Sequence, residues 1–205
     1  MRHAIHALTL ACAVIALSTT LQAQDARRAP RAIALPDTLG ANVAVGDTLT
    51  GQSAATDFDF LIGTWEFTFQ NRNDDGSFAP PFKGHWVFSK KATDGKGVLL
   101  EDHWRPDDPT LTWDAGTWTY RAFNPARRIW EMQGIDTRRG AWQPGLMWSD
   151  GDSRVLTEWY GDMLVRFRYF AIRPDSFLWR ADATFDRGKT WMRDFWTMEA
   201  RRVAR

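Results

Sequence analysis

Five polar residues and one tryptophan stand where this sequence could do chemistry: Glu101, His103, Arg166, Arg180, Asp182 and Trp65. Side chains of a β-strand alternate between two faces. In 163–172, Leu164, Arg166, Arg168, Phe170 and Ile172 share a side; in 177–184, Leu178, Arg180, Asp182 and Thr184 do; in 97–105, Leu99, Glu101, His103 and Arg105 do. Turned inward, these faces would set Arg166, Arg180, Glu101 and Asp182 among apolar walls. A buried guanidinium needs a carboxylate partner, and arginine can take one bidentately. Such a network suits a hydrated cavity in which the two arginines hold the polar or anionic head of a ligand while Glu101 and Asp182 orient them. The opposite parity puts Met163, Val165, Phe167 and Tyr169 with Phe177, Trp179, Ala181 and Ala183 inside. Burial statistics make that second set the more natural core.

Other chemistries have weaker support. Glu101, His103 and Glu131 are the components of an enzyme alternative, and the pair Glu101 and Glu131 resembles the acid and base of a glycosidase only in residue type. No Gly-x-Ser-x-Gly elbow is present, and no Walker or dinucleotide glycine pattern; the glycines of DGKG (94–97) fit a hairpin turn. His85 and His103 fall on separate strands without helical pairing, so no metal is expected.

The elements that must position these residues begin after a leader. Arg2, the apolar run ALTLACAVIAL (7–17) and the polar exit ending at Ala23 have the form of a secretory signal peptide, expected to be cleaved after Ala23. That apolar run is too short to span a membrane as a helix, and the residues before Cys12 fit a lipobox poorly. The expected location is therefore periplasmic or secreted. Loss of residues 1–23 removes the single cysteine and one cation from a chain of net charge +1. The neutral remainder has no electrostatic drive toward nucleic acid or anionic membranes, and disulfides are excluded. About 180 residues are enough for one core without staples.

Residues 24–56 lack Trp and Phe, follow no period, and read as a flexible extension, with ANVAV (41–45) as a possible edge strand. From residue 57 onward aromatic and β-branched runs alternate with turn clusters such as NRNDDG (71–76), SDGDS (149–153) and FDRGK (185–189). About ten strands result, at roughly 63–70, 82–89, 97–105, 117–123, 128–135, 141–148, 153–159, 163–172, 177–184 and 191–202. Short turns between consecutive strands favour an all-β, antiparallel up-and-down barrel of 8–10 strands over residues 57–205. Most of the twelve Trp belong in its core; Trp113, Trp118 and Trp142 are expected near a rim.

In FDFLIGTWEFTF (58–69), Trp65, Phe67 and Phe69 share one face and Gly63 permits a close backbone approach. A first strand opening Gly-x-Trp after an apolar lead-in resembles that of lipocalin-like (calycin) barrels, whose Trp plugs the closed end. The segment TFDRGKTW (184–191) resembles the Ser-x-Asp-Gly-Gly-Lys-Thr-Trp turn of a family of secreted bacterial calycin-like proteins of unknown function, which also begin Phe-Asp-Phe-x-x-Gly-x-Trp. VLLEDHW (98–104) and VRFRYF (165–170) are similar to two of its internal strands. Thr184 replaces that family's Ser and Arg187 the first of its paired glycines, which implies a wider turn. The resemblance implies the barrel, a Trp65 plug and charged positions at Glu101, Arg166 and Asp182, and lends no activity. In the related nitrobindins a histidine near the C-terminus holds haem; no His follows His103 here, and no cofactor is expected. The expected function is an exported binder of a small, mostly apolar ligand with a polar or anionic head. An enzyme using the same cavity and a filled barrel that binds a protein partner are the alternatives.

Overall fold

The computed structural model describes residues 53–93, 97–108, 117–136 and 140–203. The leader, Cys12, most of the extension, Trp113 and most of the DGKG turn lie outside them. The described residues form ten strands: β1 (Gly63–Asn71), β2 (Phe82–Lys91), β3 (Leu99–Pro106), β4 (Thr117–Asn124), β5 (Ile129–Asp136), β6 (Ala141–Asp150), β7 (Ser153–Tyr160), β8 (Met163–Phe170), β9 (Ser176–Thr184) and β10 (Met192–Arg202). Each pairs antiparallel with its sequence neighbour, and β1 pairs with β10 from Trp65↔Arg202 to Asn71↔Trp196, so the sheet closes. Closure satisfies the backbone groups that a sheet edge would leave open. Among the described residues no helix is long and apolar enough to cross a membrane. The outer face carries Glu66, His85, Glu101, Arg168 and Arg180, the reverse of the apolar exterior of a barrel that meets lipid.

One end is sealed by the chain that enters it. The 3-10 turn Asp59–Leu61 places Leu61 and the preceding Phe58 fully inside. Phe58 meets Trp130 edge-on at 5.5 Å, and Phe60 meets Phe177 at 5.8 Å. The expected start of the barrel at residue 57 falls within this seal, because Ser53 is buried and bonds to Arg128 O at 2.8 Å, while Trp130 Nε1 donates to Ala54 O at 3.1 Å. Trp65 is completely buried above the turn, donating from Nε1 to Leu61 O at 2.7 Å and meeting Phe177 at 4.8 Å. From the last strand, Arg202 lies 4.1 Å from the centre of the Trp65 ring and donates to Phe60 O, Ile62 O and Pro174 O. Gly63, at φ +129°, leaves the space this guanidinium occupies; a Cβ there would stand 2.4 Å from Arg202 Nη1.

Inward residues form the core: Phe67 and Phe69 on β1, Trp86 and Phe88 on β2, Leu100 and Trp104 on β3, Val165, Phe167 and Tyr169 on β8, Phe177 and Trp179 on β9. Phe67 stacks on Trp104 at 4.8 Å and 10°. Gly84 makes this stack possible, since a Cβ on it would lie 2.3 Å from the Phe67 ring and 2.4 Å from Arg105 O.

The β9–β10 connection is held by one acid. Asp186 accepts from Thr190 N at 2.9 Å, from the Thr190 hydroxyl at 2.7 Å and from the Thr184 hydroxyl at 2.8 Å. Arg187 takes φ +61°, the left-handed conformation that glycine adopts more readily, and Gly188 follows at +87°. The three bonds hold the Asp186 carboxyl down at about 2 from its ordinary 3.8, led by the Thr190 backbone N–H. A depressed carboxyl stabilises the fold fully above the unfolded value and loses that contribution as pH falls through the folded one. Asp186→Asn is therefore expected to melt lower than the wild type at neutral pH, with the gap closing between pH 4 and 2. Melting temperature against pH checks this, and parallel curves over that interval would contradict it.

Candidate functional site

The inward faces of β3, β4, β6, β7, β8 and β9 do not meet in the upper half of the barrel. With Phe69 of β1, Trp86 of β2, Met132 of β5 and Trp196 of β10 they surround a partly open cavity of about 320 Å³, above the seal. This is at the small end of the range for ligand pockets, roughly 300–1,000 Å³. Trp86, Trp104, Trp179, Trp196, Phe69 and Phe167 supply aromatic wall, and Met132, Leu156 and Met163 the aliphatic part. Phe167 stacks on Trp179 at 4.7 Å.

Polar groups are gathered on one side of this apolar box. Arg121 of β4 and Asp102 of β3 are almost wholly enclosed, with 2% and 1% of their side chains exposed, and Arg121 Nη1 directly contacts Asp102 Oδ2. Asp102 Oδ1 accepts from Trp86 Nε1. Arg121 also lies 5.3 Å from the Phe88 ring centre. Burial pushes its guanidinium down from the ordinary value, opposed by nearby Tyr169 and Glu158. Burial pushes the Tyr169 hydroxyl up, so at neutral pH it is a phenol that donates. Glu158 accepts from Tyr160 Oη at 3.0 Å. Gly134 makes room on this side: a Cβ there would come within 3.0 Å of Gln143 Oε1 and 3.1 Å of Glu158 Oε1.

The six residues singled out in the sequence are distributed differently. Trp65 is inside but belongs to the seal below the cavity. Glu101, His103, Arg166, Arg180 and Asp182 point outward, because the parity that buries Leu100, Asp102 and Trp104, and with them Val165, Phe167, Tyr169, Trp179 and Ala181, turns the alternate residues away. That parity buries far more apolar surface and keeps most of the charge wet. Glu101 pairs with Lys91 at 2.6 Å. His103 stacks on Trp118 at 4.4 Å and 8°, and burial holds its pKa below the usual 6.5, with Arg105 adding to the effect. Glu131 bonds to Asn124 and Arg127, so the components of the enzyme alternative each engage other partners.

Arg166 and Asp182 do meet, at 3.5 Å, but on the outside, where Arg166 also lies 4.5 Å from the Trp191 ring centre. Asp182 is the anchor of an irregularity in β10 between Met192 and Trp196. It accepts from Arg193 Nη1 at 2.6 Å and from Asp194 N at 3.1 Å, fixing Asp194 at φ +51°, while Arg180 pairs with Asp194 at 3.3 Å. The charges read as a head-group clamp thus tie a bulge to its neighbouring strands. Among the described residues no group of three His, Cys, Asp or Glu side chains is placed to hold a metal; His85 bonds instead to Asp107 at 2.8 Å.

The polar residues that do line the cavity were adjacent in sequence to the expected ones or carried no signal. Asp102 sits between Glu101 and His103. Arg121 shares its face with Thr117, Thr119 and Phe123, and the single aromatic was too little alternation to reveal an inward side. The parity of Leu100 and Trp104 was the one available clue on β3.

Neither family models nor curated proteins give a match to this chain. Among solved structures, the crystal structure of Rv2717c from M. tuberculosis matches with a TM-score of 0.44 and 10% identity, over 74% of this chain and 99% of that one.

Proposed function

We propose that this chain is an exported protein that holds a small, largely apolar ligand with a polar head inside its barrel. The observation that carries the reading is the partly open cavity of about 320 Å³ inside the barrel, aromatic on most sides and polar on one. A fold that only needed a core would fill such a space, since native interiors leave few voids larger than water. The head-group role passes from Arg166 and Arg180 to Arg121, with Asp102 as its orienting partner. The sequence of residues 1–23 supports export.

The test is titration with N-phenyl-1-naphthylamine, whose fluorescence rises in apolar surroundings. Saturable uptake is expected, and Thr119→Trp, which fills the cavity from β4, is expected to weaken it about tenfold or more with the circular dichroism unchanged. Equal uptake by a folded Thr119→Trp variant would place the dye elsewhere and remove the cavity from the function.

A second reading has its own observation. Val87, His103, Trp118, Ile135 and Trp142 are register partners across β2 to β6 and form an outward row, with Trp142 62% exposed and Val87 44%. Such a row fits a partner-binding surface. Native mass spectrometry of protein from its own cells separates the two: a retained small molecule supports the carrier, a reproducible dimer the surface.

A further inference from the structure

The cavity holds buried polar atoms that the fold leaves unused, and their chemistry is one-sided. Arg121 Nε, Tyr169 Oη, Trp179 Nε1 and Gln143 Oε1 are enclosed without a hydrogen-bond partner among the described residues. All four residues line the cavity, and each is more than nine-tenths buried. An unmet buried polar group costs about 1–3 kcal/mol, so four around one space describe a site built for something that meets them. Three of the four are hydrogen donors: a guanidinium N–H, a phenol O–H and an indole N–H.

The three donors converge. The Tyr169 hydroxyl lies next to both Arg121 and Trp179, near enough to interact with each but outside good hydrogen-bond geometry with either. Even if the Tyr169 oxygen accepts one of the two N–H groups, the other N–H and the hydroxyl hydrogen remain to be satisfied. Asp102 does not fill this role, because both its oxygens are engaged, one by Trp86 and the other by Arg121 Nη1.

We propose that the ligand presents a neutral carbonyl oxygen to Arg121, Tyr169 and Trp179, its apolar remainder lying against the aromatic wall. The inference rests on the carrier reading above. Neutrality follows from Asp102: its carboxylate already matches the Arg121 charge at direct contact. A ligand carboxylate would add a further anion beside Asp102 and Glu158, with no further cation among the lining residues. A carbonyl oxygen offers two lone pairs, enough for the two donor hydrogens left over, and brings no charge to desolvate.

Three probes of similar hydrocarbon body separate these chemistries: benzophenone, diphenylmethane and diphenylacetate, each titrated by quenching of the protein's tryptophan fluorescence. Benzophenone is expected to bind about tenfold or more tightly than diphenylmethane, because the hydrocarbon leaves the donors unmet, and more tightly than diphenylacetate. Its C=O stretch is expected to move to lower frequency on binding. In Tyr169→Phe part of that shift is lost and the preference over diphenylmethane narrows several-fold; Trp179→Phe serves the same purpose if Tyr169→Phe does not fold. Equal binding of ketone and hydrocarbon, tighter binding of the carboxylate, or an unshifted carbonyl would each overturn the proposal. Binding of none of the three would overturn it too. In each case continued uptake of the naphthylamine dye shows that the carrier reading survives, and loss of it shows that reading to be the one at fault.

Discussion

Arg121→Leu is expected to destabilise the barrel by about 3–5 kcal/mol, the usual consequence of removing one partner of an enclosed ion pair. Asp102, with 1% of its side chain exposed, would keep its bond from Trp86 but lose the cation that its second oxygen touches. That carboxylate would face the cavity with its charge uncompensated. The double variant Arg121→Leu with Asp102→Asn is expected to recover most of the loss, because asparagine still accepts from Trp86 and no charge is left to desolvate. Urea unfolding of the wild type, both single variants and the double variant measures the coupling as the failure of additivity. Single and double variants of equal stability would mean that the pair is not the interaction that makes Arg121 tolerable inside. The double variant also bears on function, since a folded barrel without Arg121 is expected to lose much of its preference for benzophenone over diphenylmethane.

The second large effect concerns the sealed end. Trp65→Ala is expected to cost about 3–5 kcal/mol, as for other large buried aromatics, against a total of about 5–15 kcal/mol for a typical domain. Three interactions end together: the Nε1 bond to Leu61 O, the edge contact with Phe177 and the Arg202 guanidinium over the ring. The substitution leaves a void under the core and frees the guanidinium that ties the last strand to the lead-in. Trp65→Phe keeps an aromatic ring beside Phe177 and is expected to lose about half as much. Thermal unfolding decides the matter, and a Trp65→Ala barrel within about 1 kcal/mol of the wild type would show that the seal does not hold the ends together.

Architecture was legible because turn chemistry is local. Gly76, Gly151, Gly161 and Gly188 adopt the positive φ that their turns require, and the strands between such turns fall within about two residues of where alternation put them. The side of each strand that faces in is not local, since it depends on register across the whole barrel. On β3 the two faces, Leu99, Glu101 and His103 against Leu100, Asp102 and Trp104, each combine a leucine, an acid and an aromatic ring. Composition alone does not separate them. On β4 Arg121 shares its face with Thr117, Thr119 and Phe123, of which Phe123 alone marks an inward side. Arg166 and Asp182 were expected in the lumen as part of a head-group network; the structure pairs them in register on the outer surface instead.

The junction of β1 with β10 joins the first strand to the last, and Arg202 is its final fastening. Nine successive strand pairs can zip up as the polypeptide is made, yet the cylinder stays open until its closing residues arrive. Until then both unjoined margins offer free amide and carbonyl groups to any other chain. Loss of the few residues around Arg202 would thus prolong the interval in which two half-made molecules can stick to one another, turning a small truncation into a large loss of yield.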